Sequence, residues 1–326
     1  MPKTYKGPSS LVLASVKPGG SMNPSLRAAV QLCKRTGMRL RLVSAIEASQ
    51  VKNLRYAPKE MFDFTAISRS ESAELKAQVE DDLRSIANNL ELEQRVEISV
   101  VIGKPAQVIL SDAVVNGATM IVTGAAAASH RFVPKGLSTA LMLMADSPIP
   151  VLVVKNNCEV NLSRKGLKLF VADDLSESCE RAVLVGFDLA TALGQTDLYH
   201  VYANAMTFED FIRNLKKLRE INKVDSKADF GSTELWEETT RILYEKLKLR
   251  APGRNQFLET AGGHYWPEIR DGDIETSLEK SIDTAAPDIL VFGRLQSFHR
   301  RPFTIGQVPF HFMLSTDRAL LIVPSE

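Results

Sequence analysis

The chain is written twice, and no other feature constrains its fold as tightly. Its first half opens with the apolar run "SSLVLASV", continues into "NPSLRAAVQLCKRTG" and then gives "MRLRLVSAIE", an order that predicts strand, amphipathic helix, strand. The second half repeats that order with "LKLFVADD", "SESCERAVLVGFDLATALG" and "TDLYHVYA". In both copies a glycine suited to a helix C-cap, Gly37 or Gly194, is followed within a few residues by the next strand. The closing segments correspond as well: "GATMIVTGAAAASHRFVPKGLSTALMLMADSPIPVLVV" stands beside "APDILVFGRLQSFHRRPFTIGQVPFHFMLSTDRALLIV". Each reads as a short apolar strand, a glycine, a loop with His-Arg (His130-Arg131 or His299-Arg300), a second glycine, a helix-length stretch and a last apolar strand.

A third strand and a further helix lie between these parts, in "RVEISVVIGKPAQVILSDAVVNG" and in "HYWPEIRDGDIETSLEKSIDTAAP". Apolar strands alternating with helices predict a parallel sheet covered on both faces, because right-handed crossovers place the helices there. The expected fold is α/β: two tandem, open, parallel-sheet, Rossmann-like domains of about five strands each. Their expected extents are residues 1–156 and 165–326, joined through the polar, aperiodic "KNNCEVNLSRKG". In the first half Leu75, Val79, Leu83, Ile86 and Leu90 recur at helical spacing. The second half carries a longer insert, about residues 205–255, in which "FEDFIRNLKKLREINKV" and "STELWEETTRILYEKLKLRA" predict two helices with solvated charged faces.

Forty basic residues against thirty-nine acidic leave a net charge of +1, so no whole-protein field favours nucleic acid or an anionic membrane. "LVLASV" is too short for a signal-peptide core, and no segment reaches membrane-spanning length. The three cysteines, Cys33, Cys158 and Cys179, show no metal-ligand spacing and suit a reducing cytoplasm, with Cys33 read as a small core residue.

In their order, these features resemble the universal stress protein family in its tandem two-domain form. The resemblance rests on "VADDLSES", on the His200-Val201 end of the second strand, on the glycine-proline helix entry "VVIGKPAQVI", and on the strand-Gly-loop-Gly segment before "PVLVV". In nucleotide-binding members the family carries Gly-x-x-Gly, nine residues, then Gly-Ser/Thr, with an Asp at the end of the first strand that contacts adenine. Glycines let backbone N–H groups approach phosphate oxygens, and a helix N-terminus adds its positive dipole end.

Position by position, the resemblance assigns more of this pattern to the second copy. Gly293 matches the first glycine, Gln296 replaces the second, Gly306 matches the third, and Gln307 stands at the Ser/Thr place. Asp174 takes the adenine-contacting place, with Asp173 beside it, and Val201 ends the neighbouring strand of the same pocket. The first copy has Gly124, Ala127 and an early Gly136 with Ser138 nearby, and Val16 or Lys17 in place of the acid.

Two readings stay open for the basic loop: Arg294, His299, Arg300 and Arg301 either face a phosphate or are solvated or paired with the acidic insert. Asp173 and Asp174, with Ser176, suit helix capping as well as ligand contact. His130 and His299, at matching places in the two copies, suit either a shared role or a structural one, while Tyr265 and Trp266 are read as covering a sheet face, and Met142, Met144 and Met313 as core filling. The final strands "PVLVV" and "ALLIV" are candidates to pair, making an intramolecular pseudo-dimer, with a homodimer as the alternative.

No nucleophile elbow, phosphate-binding lysine loop or metal-ligand cluster occurs in the sequence. The resemblance implies a cytoplasmic stress-response binding or regulatory module, and the missing motifs make an enzyme the weaker reading. ATP or another adenine nucleotide is expected in the second half. The alternatives are a scaffold that recruits a protein partner through the insert, and a slow ATPase.

Overall fold

The computed structural model describes residues 5–47, 64–92, 96–126, 137–158, 160–222, 232–294 and 305–325. The first half runs β1 (Leu11–Ser15), α1 (Pro24–Thr36), β2 (Arg39–Ile46), α2 (Phe64–Asn88), β3 (Glu97–Ile102), α3 (Pro105–Val115), β4 (Met120–Ala125), α4 (Leu137–Asp146) and β5 (Val151–Lys155). The second half runs β6 (Leu167–Asp173), α5 (Glu177–Leu193), β7 (Thr196–Asn204), α6 (Phe208–Asn222), α7 (Ser232–Lys248), α8 (Arg254–Thr260), β8 (Tyr265–Asp271), α9 (Ile274–Ala285), β9 (Ile289–Arg294), α10 (Gln307–Ser315) and β10 (Ala319–Pro324).

The ten described strands form one sheet in the order β3-β2-β1-β4-β5-β10-β9-β6-β7-β8. Each half is a parallel five-strand unit of the same strand order. The halves meet where β5 and β10 pair antiparallel, with Leu320 opposite Val153, Leu321 opposite Leu152 and Ile322 opposite Val151. The two apolar final strands thereby cover each other's edges, which gives the expected pairing a physical cause. Both faces of the sheet are buried: one core gathers Val12, Leu26, Leu42, Leu169 and Val183, the other Leu13, Ile109, Ile121, Leu290 and Met313. In α2, Val79, Leu83 and Leu90 are buried and Leu75 and Ile86 pack against them, as their spacing requires.

Cations lock the seam at both ends of the strands. Arg294, the last residue of β9, donates from Nη2 to the carbonyl of Ser147 at 2.6 Å, while Lys155, the last residue of β5, donates to the carbonyl of Thr316. Ser147 and Thr316 hold matching positions, each the first residue after its half's final helix, and each hydroxyl accepts a backbone N–H two residues on. Arg35 of α1 also crosses between the halves, donating to the carbonyls of Leu162, Arg164, Leu193 and Gly194, where the C-terminus of α5 presents its negative dipole end.

The insert holds a third helix, α8, beyond the two that periodicity predicts; its seven residues are too few for an amphipathic pattern to stand out. Leu247, Ala251 and Leu258 anchor the insert by burial, and α6 leans on α7 through Phe208 and Phe211 against Trp236, ring centroids 5.8 and 5.2 Å apart. Met144 and Met313 fill the core as expected, but Met142 is 42% exposed, because it falls on the outward side of α4.

Candidate functional site

The strand registers align the two halves residue by residue. Val12 pairs with Leu40 and Met120, and Leu169 pairs with Leu198 and Ile289 in the same way. Counting onward, Asp173 stands where the first half has Val16, His200 where it has Leu42, and Tyr265 where it has Val96. An apolar trio in one copy is thus a polar trio in the other.

That trio is a bonded network at the ends of β6, β7 and β8. His200 Nε2 lies 3.1 Å from Asp173 Oδ2, and its Nδ1 lies 3.0 Å from the Tyr265 hydroxyl. Arg250, which follows α7 in the insert, donates from Nε to Asp173 Oδ2 at 3.0 Å, from Nη2 to Asp173 Oδ1 at 3.3 Å, and also to the Ser176 carbonyl. The side chains of Asp173 and His200 are fully buried, so the carboxylate is stable only because it is bonded on both oxygens. Burial alone would raise the Asp173 carboxyl, but the bonds and charges of His200 and Arg250 outweigh it and hold it below the usual range. Burial pushes the Tyr265 phenol well above its ordinary value, so this hydroxyl stays protonated.

Asp174 is exposed at the carboxyl end of β6. Its Oδ1 accepts the Ser176 N–H at 2.9 Å, and Asp173 Oδ1 accepts the Leu175 N–H at 2.9 Å, so both acids brace the turn that leads to α5. Neither these acids nor Ser176 caps that helix with a side chain, which corrects the capping reading. The first half differs: Asn23 accepts the Leu26 N–H at 2.9 Å and closes the start of α1.

Val201 is fully buried on the sheet face opposite the network. Gly293 answers a packing requirement: a Cβ there would lie 2.8 Å from Cys179 Sγ and 3.1 Å from Cys179 Cα. Gly124 is its counterpart, with Ser25 Oγ at 3.0 Å. Arg294 departs from the phosphate-facing expectation, since it is 3% exposed and turned into the seam against Ser147. His299, Arg300, Arg301 and Gln296, like His130, Ala127 and Gly136 of the first copy, lie outside the described residues. Gly306 stands at the start of α10 with φ of 93°, a conformation that favours glycine, and no side chain caps the helix there. Gln307 follows it, exposed, with Nε2 3.2 Å from Glu275 Oε1 of α9.

The strand ends of the second half therefore present two helix N-termini without side-chain caps, an exposed acid and a guanidinium-bonded carboxylate. Asp173, Asp174 and Cys179 also bring potential metal-ligand atoms within 4.8 Å of one another. They do not suit a metal ion: both Asp173 oxygens are engaged by cationic or imidazole donors, and burial pushes the Cys179 thiol up to about 12. The network itself escapes a reading of the chain in order, because Arg250 is 77 residues from Asp173 in sequence. The legible signal is the polar substitution of three strand positions that the other copy keeps apolar.

Residues 16–155 match the sequence profile of the Universal stress protein family. Among solved structures, a universal stress protein from Archaeoglobus fulgidus DSM 4304 aligns over 98% of both chains with a TM-score of 0.63 at 14% identity. A Pseudomonas aeruginosa UCBPP-PA14 protein assigned to the same group covers 97% of this chain and 93% of its own, with a TM-score of 0.57 at 12% identity. A search of the curated proteins finds no match. Among the described residues no helix is long and apolar enough to cross a membrane. The first half therefore matches the universal stress protein family over residues 16–155, and the second half repeats the same strand order in tandem.

Proposed function

We propose that this chain is a tandem universal stress protein, a cytoplasmic stress-response binding module that holds one adenine nucleotide at the strand ends of its second half. The observation that carries this reading is the contrast between the copies: Asn23 closes the start of α1, whereas α5 begins with no side-chain cap beside the exposed Asp174. Unfilled N–H groups at a helix start attract phosphate or a polar ring edge, and ligands of open parallel sheets gather at strand carboxyl ends. Asp174 addresses the base; the backbone at Gly306 and Gln307 addresses phosphate. Binding rather than catalysis is favoured because the Asp173–His200 pair is fully buried and the tyrosine beside it stays protonated. To test it, the intact protein is purified from its native cells and its co-purifying small molecules are identified by mass spectrometry. An adenine nucleotide lost from Asp174→Ala supports the reading; none in either protein, together with no saturation by millimolar ATP, rejects it.

A second reading has one specific observation behind it. The insert exposes Met206, Phe208, Leu218, Ile242, Leu249 and Phe257, the last two at 70% and 67%. Such a concentration favours recruitment of a protein partner by the insert. Partner capture that survives Asp174→Ala but fails with Leu249→Ser and Phe257→Ser supports this reading.

A further inference from the structure

The two free edges of the sheet are built differently. At the β8 edge, Leu198 N–H bonds to the His264 carbonyl and Gly272 N–H to the Asn204 carbonyl, so the even-numbered residues of β8 point toward β7 and the odd-numbered ones point outward. Pro267 is therefore one of the outward residues, and it has no N–H to offer an incoming strand. At the β3 edge, Gly103 N–H bonds to the Ile46 carbonyl, so the odd-numbered residues point toward β2 and Ile98, Val100 and Ile102 point outward. None of them is proline, and no described strand lies beyond β3. Val101 is 40% exposed and Ile102 41% exposed, so this edge carries apolar side chains as well as free backbone groups. Natural sheets usually protect such an edge with charge, proline or a bulge; β3 has no proline, and its one charged residue, Glu97, is tied back to Arg39 and Arg41.

We propose that β3 is a homodimer interface, on which a second copy of this chain pairs its own β3 antiparallel to form one continuous sheet. The register that centres on Val100 is self-complementary. It sets Ile98 of one copy opposite Ile102 of the other, Val100 opposite Val100 and Ser99 opposite Val101. The outward residues fall on the hydrogen-bonded pairs, each of which exchanges two bonds. No charged residue opposes another, because Glu97 is turned inward to Arg39 and Arg41 at 2.7 and 2.9 Å. The chain already uses this joint once: β5 and β10 fuse two parallel units by antiparallel pairing of apolar strands. Pro267 at the far edge supplies closure, so that two copies make a finished dimer rather than an open-ended array.

The test is the mass of the full chain by sedimentation equilibrium at about 10 to 200 μM, concentrations suited to a small interface. The expected mass is twice the 36.0 kDa of one chain. Ile102→Lys places a charge at the pairing edge, and Ile102→Pro removes an outward N–H; each is expected to weaken association at least tenfold with an unchanged far-UV spectrum. Trp266→Lys, on the opposite edge strand at a residue 50% exposed, is expected to leave the dimer intact. A monomer throughout the concentration range, a dimer that survives both Ile102 variants, or a dimer dissolved by Trp266→Lys alone would overturn the proposal.

Discussion

The guanidinium of Arg250 lies 3.0 Å from the carboxylate of Asp173, and this contact fastens the helical insert to the end of the central strand of the second half. The acid is fully buried and the arginine side chain 14% exposed, so removal of either partner leaves the other desolvated. Breaking a buried pair in this way costs about 3–5 kcal/mol. Arg250→Ala is therefore expected to lower the free energy of unfolding by about that amount, measured by urea denaturation. Arg250→Lys should recover only part, since one ammonium does not span both Asp173 oxygens and the Ser176 carbonyl. Equal stability of all three proteins would remove the contact from the account.

The same carboxylate predicts an acid limb. Its folded value is held down, so the folded protein binds fewer protons at this site than the unfolded chain. The stabilisation is fully present above the ordinary aspartate range near about pH 4 and is lost as pH falls through the folded value. Wild-type urea midpoints should therefore fall more steeply below that range than those of Asp173→Asn. Parallel acid limbs in the two proteins would contradict it.

Gly293→Ala sets a methyl group 2.8 Å from Cys179 Sγ. Overpacking of this kind costs about 1–3 kcal/mol. Cys179→Ala added to it should restore only part of the loss, because the Cys179 Cα itself would stand 3.1 Å from the new carbon. Thermal unfolding of the single and double variants measures both effects.

The thiols give a simple chemical prediction. Burial pushes Cys33 and Cys179 up to about 12, so neither holds an appreciable thiolate near neutrality. A thiol-reactive disulfide reagent should leave both unmodified in the native protein and label them once urea unfolds it. Rapid native labelling of either would show that its helix opens.

Much of the fold is legible in the sequence because its signals are local. Strand and helix periods repeat in both halves, and Gly37 and Gly194 mark the helix ends where the structure places them. The pairing of "PVLVV" with "ALLIV" follows from two apolar edges that need cover. The site is less legible because it is assembled from distant residues. Arg294 looks like a phosphate ligand in sequence, being a cation directly after a loop glycine. Yet its side chain is buried at the seam, where the Ser147 carbonyl accepts from its Nη2. Arg250 shows the reverse, an unremarkable charge in a helical insert that becomes the partner of a buried acid. Asp173 and Asp174 are adjacent and chemically identical, and the alternation of side chains along a strand separates them into a buried network member and an exposed one.

The central claim is that the second half alone holds an adenine nucleotide, and calorimetric titration of ATP into the intact chain tests it most directly. The account predicts saturation at one nucleotide per chain, abolished by Asp174→Ala and unchanged by Lys17→Ala at the matching place in the first half. No heat of binding at millimolar ATP, two nucleotides per chain, or loss with Lys17→Ala but not with Asp174→Ala would contradict it.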